Sequence, residues 1–461
     1  MKTRTLLLAT AGIAVTTAAA AGAVTAMRAS AIAEQVSALG EQMRDGEVRV
    51  SGLKHEKGLL RSTGRFEIAV QAGCDAAEGD DKPTKALVEY ELSHLGLPTS
   101  PVRFTLSARP GGELGDLLKD SLAERPLLTA QGTAGRDGAI DATMATPELS
   151  LRDGTTSMKV AASNGRVVMG GTAFKLDWST DRATVRDGEG AYEVRGVRLG
   201  VDLADLRLGT GTSKMDIDHV DTPSLQMEGL ALVSEATVRG ELLDARFAPT
   251  VRKVTVDDES LTDLALDLSA KGVHAKSWET LVRIGTESCG FQGMTRAETA
   301  EARDAARTLL VRGLTVAVSR LAATGPEGAV KGELELGLEA SGERGTSLPP
   351  VLAKQAFARG RIELTGKLLD DGQREQLLAS GLATERGKSI VASFDYTRGA
   401  LSLNGAPDRN GFADAVQSAL AGVDSMLAET LAGPVGGSRA PQAAAPAAPA
   451  GRAPVKVGLP Y

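Results

Sequence analysis

Apolar residues at every second position, interrupted by glycine turns, constrain this chain more than any other feature. In "AFKLDWS", Phe174, Leu176 and Trp178 fall on one side, and Lys175 and Asp177 on the other. Strand side chains alternate between faces, so such a stretch builds an antiparallel sheet with one apolar and one wet face. "VRFTLSA", "SMKVAAS", "ATVRDGEGAYEVRGVRLGVDL" and "LTDLALDLSAKGVHA" repeat the pattern from about residue 48 to about residue 290. The stretch "KSIVASFDYTRGALSLNG" reads as a complete hairpin. Ile390, Ala392, Phe394 and Tyr396 share a face, Arg398-Gly399 makes the turn, Leu401 and Leu403 answer, and Asn404-Gly405 closes the unit.

Helices enter late. Thr295 and Glu298 form a capping box and Gly313 a stop, which places a helix over "AETAEARDAARTLLVR". Val351–Phe357 and Asp371–Leu382 read as helical around "RGRIELTG", and "GFADAVQSALAGVDSMLAETL" as a further amphipathic helix. Aromatics make up only 3% of the 461 residues against 42% hydrophobics, so a core must come from Leu, Val, Ile and Ala.

At the N-terminus, Lys2 and Arg4 precede an uncharged run, Leu6 to Met27. At about 1.5 Å per residue it is long enough for a hydrocarbon core of roughly 30 Å. It reads as an anchor with the positive end inside, or as a signal peptide, and both export the rest of the chain. Ile32, Val36, Leu39 and Met43 then mark a juxtamembrane helix. From Gly433 the chain turns to a Pro/Ala-rich tail without core-forming capacity. The expected fold is therefore mainly β with interspersed α-helices: an elongated antiparallel sheet body, an N-terminal transmembrane helix and a disordered tail. In order, the expected parts are an anchor or signal segment (1–28), a juxtamembrane helix (29–46), a β-rich periplasmic body (47–292), an α+β portion (293–432) and the tail (433–461).

No catalytic, cofactor-binding or metal-binding residue is assigned. "GLATERGKS" imitates a phosphate loop, but Gly381 to Gly387 encloses five residues where four are required, and a helix precedes it where a strand should. In "DIDHVD", alternation points Asp216 and Asp218 one way and His219 and Asp221 the other, so they do not converge on a cation. His55, His94 and His274 stand apart from one another. Ser51 and Lys54 match a serine–lysine spacing without its companion motifs. Lys+Arg 52 against Asp+Glu 59, with no basic stripe carrying aromatics, argues against nucleic acid as a partner.

Several landmarks together resemble the YdgA-like proteins, bacterial envelope proteins with no established activity. "LKHEKGLLRSTGRFEI" is similar to the family's early hairpin, "YELSHLGLP" to its His-Gly-Pro turn, and "GGTAFKLDWSTDRATVRDGEG" to its double-Gly hairpin. "LSAKGVHAKSWETL" resembles the segment where a Trp, here Trp278, opens a helix, and "FDYTRGALSLNG" the closing hairpin. In the turn, Leu95 intrudes and Leu97 separates Gly96 from Pro98. The resemblance implies a single-pass bacterial inner-membrane protein with a periplasmic body, and it transfers no catalytic residue. The resulting expectation is a non-enzymatic, membrane-anchored structural or interaction protein, with self-association into a homo-oligomer in view. The alternative is a lipid carrier that uses an apolar sheet groove. Helices over 295–312 and 411–431 decide between them: a covered apolar face is a core, an open one a groove.

Export gives Cys74 and Cys289 a compartment that permits a bridge, with two separate thiols as the alternative. Closing a loop of roughly 200 residues stabilises by about 5 kcal/mol in the chain-entropy model. Non-reducing peptide mapping is expected to find Cys74 joined to Cys289, and two alkylatable thiols would refute the bridge.

Overall fold

The computed structural model describes residues 48–58, 60–70, 84–93, 101–135, 137–188, 190–288, 291, 293–340 and 355–432. Among these, 22 strands form one sheet. It begins with β1 (Val48–Lys57), β2 (Arg61–Val70), β3 (Thr84–Ser93) and β4 (Val102–Gly111). After helix α1 (Gly112–Leu122) come β5 (Leu128–Ala134), β6 (Ile140–Thr146), the short hairpin β7 (Leu149–Asp153) and β8 (Thr156–Val160), and β9 (Ser163–Gly170). The longest strands come next: β10 (Ala173–Asp187), β11 (Gly190–Asp205), β12 (Thr210–Asp221), β13 (Leu225–Arg239), β14 (Leu242–Val256) and β15 (Glu259–His274).

Helices α2 (Ala275–Glu287) and α3 (Arg296–Arg312) then interrupt the meander, which resumes with β16 (Leu314–Gly325), β17 (Gly328–Leu338) and β18 (Ala356–Gly366). Helix α4 (Asp371–Ala379) precedes β19 (Thr384–Arg386), β20 (Ser389–Thr397), β21 (Ala400–Leu403) and β22 (Ala406–Pro407). Helix α5 (Phe412–Ala432) ends the described chain.

Most sequence neighbours pair antiparallel. β6 skips the short hairpin to pair with β9, and β18 pairs with β20. β8 joins the same edge of β10 beyond β9. The pairing of β15 with β16, Leu268 opposite Val318, carries the sheet across residue 292 without a break.

Turn chemistry sets much of this register. Arg398 and Gly399 both take positive φ (49° and 85°), as do Asn404 and Gly405 (52° and 80°), the mirror-image turns whose twist matches that of the strands. α3 is capped as the sequence predicts: Thr295 accepts from the Glu298 amide and the Glu298 side chain returns to Thr295.

Both edges resist further pairing. β1 bulges between Ser51 and Lys54, where Gly52 sits at φ 66°, and the far edge ends in strands of four and two residues.

The larger core cluster lies in the first half. Val88, Leu92, Phe104, Leu106, Leu128, Ile140 and Val167 are buried in one cluster. Val50 and Leu53 of β1 and Leu199 and Val201 of β11 pack against that same cluster. The cluster is continuous along one face of the sheet from β1 to β11. Tyr90 lies over its cross-strand partner Gly64, and Trp178 over Gly165. A side chain added at either glycine would collide with the ring. The glycines make room for aromatics that are too few to be spread evenly.

The expected architecture needs correction. Among the described residues the fold is one large antiparallel sheet with five helices, none of them long and apolar enough to cross a membrane, so this architecture contains no transmembrane helix. Leu6–Met27, the juxtamembrane helix, the tail and both cysteines lie outside the described residues. The helix expected at Val351–Phe357 is also corrected: Phe357 belongs to β18, where its ring covers Gly337 across the ladder. That cross-strand pairing outweighs local helical spacing.

The two faces of β10 differ in their tolerance. Trp178 packs on the buried cluster, while Lys175 reaches Asp202 at 2.7 Å on the wet face. Trp178→Asp places an unpaired charge against the core and is expected to cost several kcal/mol, comparable to the stability of a domain. Lys175→Asp is expected to cost about half a kcal/mol or less. Equal thermal melts for the two variants would contradict this face assignment.

Candidate functional site: an apolar face open at one end

Directly opposed residues share a face, so the pairing register can be followed across the whole sheet. One row runs Ser62, Leu92, Phe104, Gly132, Ala142, Val167, Leu176 and Val201. It continues through Ser213, Ser234, Phe247, Leu268, Val318, Leu334, Gly360 and Phe394. Its first part is core: Leu92 is 0% and Phe104 2% exposed. Ser213 and Ser234 form a polar seam, and beyond it the row opens, with Phe247 at 41% and Phe394 at 36%.

The flanking rows open with it. Val316 and Leu336, opposed to each other, are 43% and 44% exposed. Leu321 and Ile362, both opposite Gly332, are 41% and 39% exposed. Between β14 and β20 the sheet thus presents a contiguous apolar surface. The row crosses five strand spacings there, and at about 4.8 Å each the surface is about 24 Å long.

Helices α2, α3 and α5 stand at one end of this surface, and α4, which follows Gly366, lies at the other. α2 and α3 meet the sheet where β14 starts and β15 ends, through Leu243, Val273, Ala275 and Leu309. Arg283 and Glu301 join these two helices at 2.7 Å. The Arg307 Nη2 donates to the Leu431 carbonyl at 2.7 Å, tying α3 to α5, and the Gln417 Nε2 donates to the Gly399 carbonyl at the tip of β20–β21. Tyr396, two positions along the same face from Phe394, is buried there. Its hydroxyl is buried with no hydrogen-bond partner, and burial raises its pKa.

The opposite face is a ladder of ion pairs. Asp141–Arg166, Lys175–Asp202, Arg198–Asp218, Arg246–Asp267 and Arg359–Asp395 span neighbouring strands at 2.6–3.2 Å. The hydrogen bond from Arg246 holds the Asp267 carboxyl below its usual range. Exposed pairs of this kind contribute little individually, but they keep this face wet and in register.

The sequence motifs do not assemble into a site. "GLATERGKS" is the link from α4 through β19 to β20, with its turn at Gly387 (φ 64°). In β12, Asp218 pairs with Arg198 and Asp216 with Lys214 at 3.0 Å. Among the described residues no three His, Cys, Asp or Glu side chains are placed to hold a metal ion. His94 lies outside the described residues. Phe247, Val316, Leu321, Leu336 and Ile362 are not singled out by the sequence reading. Each sits in an alternating stretch, but only the register aligns them.

A family model for bacterial proteins of unknown function (DUF945) matches residues 1–407. The chain belongs to the DUF945 family. No curated protein and no solved structure matches this DUF945 chain. The family carries no assigned chemistry, so the geometry bears the functional argument.

A buried hydroxyl without a partner costs roughly 1–3 kcal/mol of desolvation. Tyr396→Phe is therefore expected to melt at or above the wild-type temperature. A lower melting temperature would show that the hydroxyl has a structural partner.

Proposed function

We propose that this protein is a non-enzymatic carrier of lipid, whose acyl chains lie along the open apolar face between β14 and β20. The observation that carries this reading is the single row that is core at Leu92 and Phe104 and open at Phe247 and Phe394. The face that is buried in the first half leaves these residues exposed in the second. A surface about 24 Å long exceeds the roughly 15 Å of one bilayer leaflet's hydrocarbon, so it accepts a full acyl chain.

The body's place, in this proposal, is the periplasmic side of the bacterial inner membrane. Lys2 and Arg4 ahead of the uncharged Leu6–Met27 run support its export. The YdgA-like motifs favour the same envelope setting. An interaction protein that covers this face with a protein partner or with a second copy of itself is the competing reading.

Organic extraction of protein purified from membranes tests the proposal. Wild type is expected to release phospholipid or fatty acid in near-stoichiometric amount. Val316→Thr combined with Leu336→Gln polarises two exposed positions, so it is expected to shift the melt by only a few degrees while lipid recovery falls several-fold. Lipid-free wild type that elutes as a complex or dimer would favour the interaction reading instead.

A further inference from the structure

On the wet face of the first half, a groove of about 1110 Å³ crosses strands β1 to β6 and β9. Its floor is a register row of backbone, Gly64, Tyr90, Leu106, Ala130, Met144 and Gly165, whose side chains belong to the other face. Its walls are the side chains of the two rows on either side.

These walls break the rule that governs the rest of the face. Elsewhere neighbouring strands are joined by ion pairs. Here β4, β5, β6 and β9 offer Thr105, Ser107, Thr129, Gln131, Thr143 and Asn164, all uncharged and all capable of hydrogen bonding. Charge returns only at the borders, with Glu89–Arg109 (3.8 Å) on one side and Asp141–Arg166 on the other.

The hydroxyls of Thr129 and Thr143 make only long bonds, 3.4 Å, to the Ala145 and Gln131 carbonyls. β2 to β6 and β9 beneath it are interior to the sheet, so their amides and carbonyls are spent in the ladder. An added peptide strand needs a free edge, and the one at this groove, β1, is broken by its bulge between Ser51 and Lys54. An anion finds no converging cations, since Lys54 and Arg65 share their end of the groove with Glu56, Glu89 and Glu91. What remains is a platform of neutral donors and acceptors, the chemistry that matches vicinal hydroxyl groups.

We propose that this groove binds a neutral saccharide chain, on the face opposite the lipid surface and independently of it. Without an aromatic platform, the affinity falls in the weak range. Saturation-transfer NMR on the full chain, with maltohexaose, cellohexaose and chitohexaose as probes, tests it. At least one is expected to receive saturation, with the apparent affinity falling about tenfold in Gln131→Leu/Thr143→Val.

Thr105→Val/Ser107→Ala, on a different strand, provides the same readout should the first variant fail to fold. Absence of transfer to all three sugars overturns the proposal, as does unchanged affinity in a folded variant. A neutral hexapeptide that competes with the sugar at equal affinity overturns the saccharide assignment. Because these variants leave the apolar face untouched, lipid recovery stays at the wild-type level. A failed lipid test and a failed sugar test are therefore separate outcomes.

Discussion

A side-chain period of two, held in register over one unbroken antiparallel ladder, is the constraint on which this molecule depends. Every hydrogen-bonded neighbour repeats the facing of the one before, so an apolar position on β3 dictates an apolar face as far as β20. Such a face is costly to leave in water, at about 25 cal/mol for each Å² of apolar area. A short sheet solves the problem with a second layer. Here the described helices are few against 22 strands, and aromatics make up 3% of the chain. In the first half one continuous buried cluster runs along that face from β1 to β11.

Glycine makes that solution possible and also shows its reach. Tyr90 on Gly64 and Trp178 on Gly165 sit in the closed half, and Phe357 on Gly337 and Phe394 on Gly360 in the open half. The same cross-strand device serves both. In the closed half the rings complete a core. In the open half Phe394 belongs to the apolar face and remains 36% exposed, while Phe357 lies on the opposite face beneath Arg359. The Ser213–Ser234 pair, where the row briefly turns polar, stands between the two regimes. The opposite face, laced by pairs such as Arg246–Asp267, is committed to water over its length. A hydrophobic ligand therefore has one side of the sheet available to it.

Much of this was legible in the sequence, and the reasons are local. Alternation in "AFKLDWS" places Trp178 toward the core and Lys175 toward solvent, and the hairpin around Arg398-Gly399 forms where its turn residues demand it. The capping box of Thr295 and Glu298 fixes α3. What local patterns do not contain is register between distant strands. Val316, Leu336 and Ile362 belong to separate stretches, and only pairing brings them onto one surface. Phe357 shows the same gap: its local spacing suits a helix, and its partner Gly337 lies beyond residues 341–354 in the chain.

The most direct test of the central claim is to map where a lipid lies on the protein. A phospholipid with a photoreactive diazirine in its acyl chain, crosslinked to the full chain and located by peptide mass spectrometry, reads this out. The account predicts adducts on Phe247, Val316, Leu321, Leu336, Ile362 and Phe394, the exposed apolar residues of one face. Adducts on the ion-paired face, at Arg246 or Arg359, or none above a non-lipid diazirine control, would contradict it.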